Sequence, residues 1–244
     1  MTWALISITA RQLLGRRRAL FLVLLALLPV AVALLYRFAG DATEHTPPVE
    51  FVPQFTERVL VGLVLPLTAL IFGTASLGAE IEDGTAVYLL ATPVKRWRIV
   101  LVKVVTAIVA TIVVVTPATF LTALIALGGT NDQGLAVGFA LAVTIGAMVY
   151  CSVFVALSAF TSRALIAGLG YVFVWETFAT NIFSGTRWAS IREYTMGVAD
   201  LSSSADLMAN LDGETTLVAS GAVIVVAYGL GVRFLSRFEI GERV

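Results

Sequence analysis

The chain has 244 residues, of which 59% are hydrophobic and only 13% are charged, about half the charged fraction of a typical soluble domain. Sixteen basic and sixteen acidic residues give a formal net charge of zero, which argues against nucleic acid or another strongly charged macromolecule as a partner. The composition therefore indicates an integral membrane protein. The single cysteine, Cys151, excludes a disulfide within the chain.

Residues 1–18 precede the first long apolar stretch. Trp3, Ile6 and Leu13 share one sector of a helical wheel, which indicates an amphipathic helix lying on the membrane surface, although a frayed start of the first span is the alternative. The basic residues 16–18 could also begin a signal peptide, but no convincing small-x-small cleavage site follows them. We therefore expect an uncleaved first span.

Six apolar stretches are long enough to cross a hydrocarbon core of about 30 Å, which requires roughly 20 helical residues. They predict an all-α integral membrane fold, a single transmembrane domain with six spans. The predicted spans are residues 19–39, 59–79, 99–127, 134–160, 164–184 and 216–235.

The distribution of basic residues predicts the orientation of these spans. If the N-terminus is cytoplasmic, twelve of the sixteen lysines and arginines fall on the cytoplasmic side. The exceptions are Arg37, Arg58, Arg187 and Arg192. We therefore expect a multi-pass protein of the plasma or inner membrane with both termini in the cytoplasm.

Residues 185–215, between the fifth and sixth spans, have a helical pattern of their own. Ser190 followed by Glu193 is typical of a capping box at a helix N-terminus. The apolar residues at helical spacing are Trp188, Ile191, Tyr194, Val198 and Leu201. The pattern predicts short helical structure on the extracellular surface.

The residues that enzymes need are scarce. His45 is the only histidine, so neither a histidine pair for zinc nor a HExxH motif is possible. No GxxxxGK[ST] phosphate-binding loop is present either. We expect no catalytic residue, no metal site and no cofactor in this chain, so any energy must come from an ion gradient or another subunit.

Residues 80–103 form the only substantial charged segment in the interior of the chain. Acidic residues come first, at Glu80, Glu82 and Asp83, and basic residues come last. Gly84 supplies the backbone freedom to leave the second span, and Pro93 is predicted to begin the helix of the third. An ordinary positive cytoplasmic loop would explain the basic half of this segment but not the acidic residues and turn residues before it.

The same segment resembles the signature that follows the second span of ABC-2 type permeases, E-x3-G-T-x3-LL-x2-PV-x-R-x6-K. The matching residues are Glu80, Gly84, Thr85, Leu89, Leu90, Pro93, Val94, Arg96 and Lys103. The resemblance implies a membrane subunit of an ATP-binding cassette (ABC) transporter, working as a dimer with a second permease copy or a paralogue. It also implies two copies of a separate ABC ATPase that bind ATP and Mg²⁺. No EAA-type loop of importer permeases is visible, which favours export.

By the same resemblance, residues 83–92 form a coupling helix that docks on the ATPase, within a coupling region of residues 80–98. Polar contacts with the ATPase are expected from Glu80, Glu82 and Asp83, and packing in its cleft from Tyr88, Leu89 and Leu90. Arg96 is expected at a lipid headgroup or on the partner.

Glu176 is the one ionisable residue placed well inside a predicted span. A charged side chain at a helix centre costs roughly 2.5 to 3.5 kcal/mol, so such residues usually face protein or water. Glu176 is expected to be a pathway or gating residue, or a structural anchor to the outer helices, with Arg187 and Arg192 as the nearest candidate partners in the sequence. Two alternative functions remain open: an ion-driven carrier or channel that uses Glu176, and a non-transporting membrane scaffold.

Overall fold

The computed structural model describes residues 16–39, 46–82, 94–128, 132–179, 184–202 and 212–237, and every regular element in these ranges is helical. The α-helices there are α1 (Arg16–Ala39), α2 (Pro48–Phe55), α3 (Leu65–Glu82), α4 (Arg96–Leu127), α5 (Gln133–Phe160), α6 (Ala164–Gly170), α7 (Ile191–Ser202) and α8 (Gly213–Ser236). A π-helical segment, Thr56–Val64, joins α2 to α3, and a second, Tyr171–Ala179, extends α6. A 3₁₀ helix, Ser184–Ala189, precedes α7.

Within the described residues, five helical stretches are long and apolar enough to cross a membrane. They are Leu20–Phe38, Pro48–Gly78, Arg96–Leu127, Gln133–Phe160 and Gly213–Ser236. Each overlaps one of the predicted spans. The all-helical membrane architecture expected from composition is therefore confirmed.

The predicted fifth span, residues 164–184, is described as a helix up to Ala179. Its helix covers α6 and the π-helical Tyr171–Ala179, and its apolar part, Ala164–Glu176, is shorter than the roughly 20 residues that a full crossing requires. Glu176 is the last residue of this apolar part.

The second span begins earlier than predicted. Pro47 occupies the N-cap with φ −53° and ψ 143°, and Pro48 takes the first helical position, where the missing N–H does no harm. The prediction started at residue 59 because charged Glu57 and Arg58 interrupt the apolar run. Glu57 therefore lies on a helix rather than in a loop.

The third span begins at Arg96, so the prediction that Pro93 starts its helix is wrong. Lys95 is the N-cap, with extended backbone at φ −60° and ψ 132°. Its carbonyl accepts hydrogen bonds from the N–H groups of Arg98 and Ile99. A helix that began at Pro93 would require helical angles at Lys95.

The centre of the bundle is α5, which packs against α3, α4, α7 and α8. Its side chains Phe139, Tyr150 and Phe154 are fully buried. Gly146 allows α7 to approach α5 closely, because a Cβ at this position would overlap the side chain of Thr195. The short helix α7 is thus held directly on the central span.

The two terminal spans are much less buried. α1 exposes Phe21, Leu24 and Leu35, and α8 exposes Val218 and Val225. In a membrane these faces contact lipid or another protein, since large apolar side chains at this density do not face water.

Candidate functional site

The described part of the charged segment is held by a buried ion pair between two spans. Glu80 lies at the end of α3 and Lys103 lies two turns into α4. Lys103 Nζ donates to Glu80 Oε1 at 2.7 Å, with side-chain exposures of 2% for Lys103 and 12% for Glu80. The first and last residues of the ABC-2 signature therefore contact each other, although 23 positions separate them.

Arg96 makes a second attachment at the same end of the bundle. Its Nη1 donates to the carbonyls of Leu235 and Ser236, at 2.7 and 2.8 Å, in the last turn of α8. These carbonyls have no partner within their own helix, and a guanidinium there also meets the negative end of the helix dipole. Arg96 was expected at a headgroup or on a partner, and the structure shows it joining the start of α4 to the end of α8.

The central part of the predicted coupling region lies outside the described residues. This applies to Asp83, Gly84, Thr85, Tyr88, Leu89, Leu90 and Pro93, and to the side chain of Glu82. What the structure establishes is how both flanks of residues 83–93 are attached. The upstream flank is tied to α4 through Glu80, and the downstream flank is tied to α8 through Arg96.

A second cluster surrounds Glu176, whose residue is only 4% exposed. Its Oε1 accepts hydrogen bonds from the hydroxyls of Tyr171 at 2.9 Å and Tyr150 at 3.2 Å. Its Oε2 accepts a hydrogen bond from the hydroxyl of Ser190 at 2.5 Å. Three elements thus meet on one carboxylate: the extension of α6, the central helix α5 and the start of α7.

The same carboxylate also caps α7. The backbone N–H of Ile191 donates to Oε1 at 2.9 Å, and that of Arg192 donates to Oε2 at 3.4 Å. The first N–H groups of a helix have no partner within the helix, and a negative charge is favourable beside them. Ser190 contributes its predicted half of the capping box, since its hydroxyl accepts from the N–H of Glu193 at 3.3 Å.

A surface ion pair adds a further link at this end. Arg192 Nη2 donates to Glu57 Oε1 at 2.8 Å, which joins α7 to the second span. Arg192 was a predicted partner of Glu176; its backbone N–H contacts that carboxylate while its guanidinium contacts Glu57. Both carboxylates lie on π-helical segments. We call Glu57, Glu176, Ser190 and Arg192 the α7 cluster.

The hydroxyl of Tyr194, one turn into α7, donates to the carbonyl of Trp188. Burial and the nearby Glu176 carboxylate raise the pKa of Tyr194, so the phenol stays protonated and remains a donor at physiological pH. The contact fixes the 3₁₀ helix against α7.

Several of these contacts were not predicted from the sequence. Tyr171 and Glu176 are five residues apart, which is not a same-face spacing in an α-helix, whereas the i→i+5 register of a π-helix brings such residues together. The partner of Glu57 could not be found because that residue was placed in a loop. The pairing of Glu80 with Lys103 could have been predicted, because opposite charges lie at the two ends of one charged segment.

Among the described residues, no group of three or more His, Cys, Asp or Glu side chains could hold a metal ion. Cys151 is buried, with its sulfur 3.2 Å from the hydroxyl of Thr111. His45 lies outside the described residues. The described polar clusters are built of ion pairs and hydrogen bonds that hold helices together.

Long apolar helices joined by buried polar contacts define a multi-pass α-helical membrane protein. The family model for ABC-2 family transporter proteins matches residues 3–240, and the chain belongs to this family. The resemblance inferred from the charged segment is thereby confirmed, and membership makes the chain a membrane permease of the ABC transporter type. None of the curated proteins matches the chain.

Proposed function

We propose that this chain is the permease subunit of an ABC exporter, that it forms the translocation pathway as a dimer, and that two copies of a separate ATPase drive it. The observation that carries the proposal is the double attachment of residues 83–93, through Glu80 to Lys103 and through Arg96 to α8. A segment that only connects two spans does not need such contacts on both of its flanks, whereas a segment that transmits force into the spans does.

The attachments indicate where such a force would go. Movement of residues 83–93 would be carried into α3 and α4 by the Glu80–Lys103 pair, and into α8 by Arg96. Both α4 and α8 pack against the central helix α5. ATP-driven closure of the ATPase subunits would thereby shift the spans between inward-open and outward-open arrangements.

The topology we propose has six crossings, with residues 164–184, of which α6 and its π-helical extension are the described part, as the fifth, and with residues 1–15 within an interfacial helix. Both termini and residues 83–93 face the cytoplasm, as the distribution of basic residues favours. Glu57 and Glu80 lie near opposite ends of one helical stretch, about 35 Å apart at 1.5 Å per residue. The α7 cluster is then on the extracellular side.

At that outer end, Glu176 acts as an anchor that holds α7 on the ends of the spans. At least five donors surround its carboxylate, from α5, the extension of α6 and the start of α7. A carboxylate so enclosed by donors is suited to holding a structure together. We propose that it controls the outer gate by keeping α7 in place.

Affinity capture tests whether a separate ATPase binds this chain. The tagged protein is expected to capture a P-loop ATPase in stoichiometric amount from native membranes. The double variant Leu89→Asp, Leu90→Asp is expected to reduce capture at least about thirtyfold, because each buried apolar anchor at an interface contributes about 1 to 2 kcal/mol. Membrane insertion should be unchanged.

The matched control is Leu201→Asp, which places the same charge on a half-exposed leucine of α7. It should capture the ATPase as the wild type does. Normal capture by the Leu89, Leu90 variant would rule out the coupling helix. Absence of any captured ATPase would instead favour an ion-driven carrier or a membrane scaffold.

A further inference from the structure

A cleft of about 470 Å³ lies between α5 and α8. All ten residues that line it are apolar, among them Leu157, Phe160, Ala222, Val226, Leu230 and Phe234. The rings of Phe160 and Phe234, 5.0 Å apart between centroids, line the cleft at the arginine-rich end of the bundle. Its volume is that of a site for a small ligand.

The occupant of this cleft must be apolar along its whole length, because the lining offers no hydrogen-bond partner. The cleft lies between two helices that are each long and apolar enough to cross a membrane, and several lining residues, including Val226 and Phe160, are more than half exposed. It therefore opens toward the hydrocarbon region, where acyl chains are the abundant apolar molecules.

Cationic side chains follow the cleft at one end. Arg233 and Arg237 lie three residues after Leu230 and Phe234, which places them on the cleft-lining face of α8 one turn further on. Both arginines are exposed, as is Arg163 just after the end of α5. Arg96 adds further positive charge at the carbonyl end of α8. Guanidinium groups are well suited to bind phosphate.

We propose that this cleft binds an anionic phospholipid, with an acyl chain between α5 and α8 and the headgroup phosphate on Arg233 and Arg237. An apolar slot that leads directly to arginines matches the two chemical parts of such a lipid. The lipid belongs to the leaflet at the arginine-rich end, which is the inner leaflet in the proposed topology. Binding itself depends neither on that topology nor on the ATPase.

Native mass spectrometry of the purified full-length chain tests the site. The protein is incubated with equal amounts of phosphatidylglycerol and phosphatidylcholine that carry the same acyl chains, and the retained lipid is counted. The wild type should retain phosphatidylglycerol preferentially. The variant Arg233→Gln, Arg237→Gln should lose about 25-fold of that preference, since each basic residue near anionic lipid contributes about fivefold. Arg58→Gln, an equivalent change at the opposite end, should not.

A second pair of variants tests the apolar half of the site. Ala222→Phe fills the cleft and should abolish retention of both lipids. Val225→Phe is the control, because it adds the same ring at a residue that is 70% exposed and outside the lining. The proposal is overturned if the arginine variant keeps the wild-type preference, or if Ala222→Phe still retains lipid. The proposal is also overturned if Ala222→Phe no longer dimerises but retains lipid as the wild type does. That result would show that a second copy of the chain covers the cleft.

Discussion

Lys103→Met is expected to destabilise the protein by about 3 kcal/mol or more, because it removes the ammonium group that neutralises the largely buried Glu80 carboxylate. Methionine keeps the length and the apolar stem of the lysine side chain, so the loss reports the charge. The thermal unfolding midpoint of the purified protein measures the effect. The permease should also no longer change the ATPase activity of the assembled complex, since α3 and α4 would no longer move together.

The double variant Glu80→Gln, Lys103→Met provides the control. Replacing both partners of a buried ion pair by neutral groups of similar shape is often close to neutral, whereas removing one is costly. We therefore expect the double variant to be more stable than Lys103→Met alone. Additive losses in the double variant would show that the two side chains do not interact energetically.

Glu176→Ala is expected to have the largest effect at the outer end. It removes the common acceptor of Tyr150, Tyr171 and Ser190, as well as of the first two N–H groups of α7. Each buried donor left without a partner costs about 1 to 3 kcal/mol. Amide hydrogen exchange in Ile191–Ser202 should rise at least about 30-fold, while the ATPase remains bound.

Glu176→Gln should be much milder. The amide oxygen replaces Oε1 for Tyr171 and Ile191, and the amide nitrogen can donate to the hydroxyl of Ser190, so only the long hydrogen bond from the Arg192 N–H is lost. An ion-driven mechanism orders the two variants differently, because glutamine cannot release a proton and would impair function as much as alanine. Wild-type exchange in both variants would show that Glu176 does not hold α7.

The sequence predicted the membrane class, the family and most helical segments, because these depend on long runs of similar residues and on one local motif. The helices of the third and fourth predicted spans, α4 and α5, differ from their predicted bounds by at most three residues. Where charged residues interrupt an apolar run, as at Glu57, the predicted boundary was wrong. Apolarity alone cannot distinguish a loop from the polar end of a long helix.

The residues of the candidate sites were predicted, but most of their contacts were not. Glu80 was expected on a partner protein and Arg96 at a lipid headgroup or on the partner, and in the structure each also bonds within the chain, to Lys103 and to the end of α8. Such pairings depend on which spans are neighbours, which a single sequence does not reveal. The hydroxyl of Tyr171 reaches Glu176 only because the intervening turn is π-helical, and no residue pattern indicated that register.

The central claim, that ATP bound to a separate subunit moves this chain, is tested most directly by amide hydrogen exchange of the permease–ATPase complex in lipid nanodiscs. Ile191 and Arg192 are the amides to follow, since they donate to Glu176 at the end of the bundle away from residues 83–93. We predict that ATP, under conditions that prevent hydrolysis, changes exchange in Ile191–Ser202 several-fold when the ATPase is bound, and has no effect on the permease alone. Identical exchange with and without ATP in the assembled complex would contradict the account.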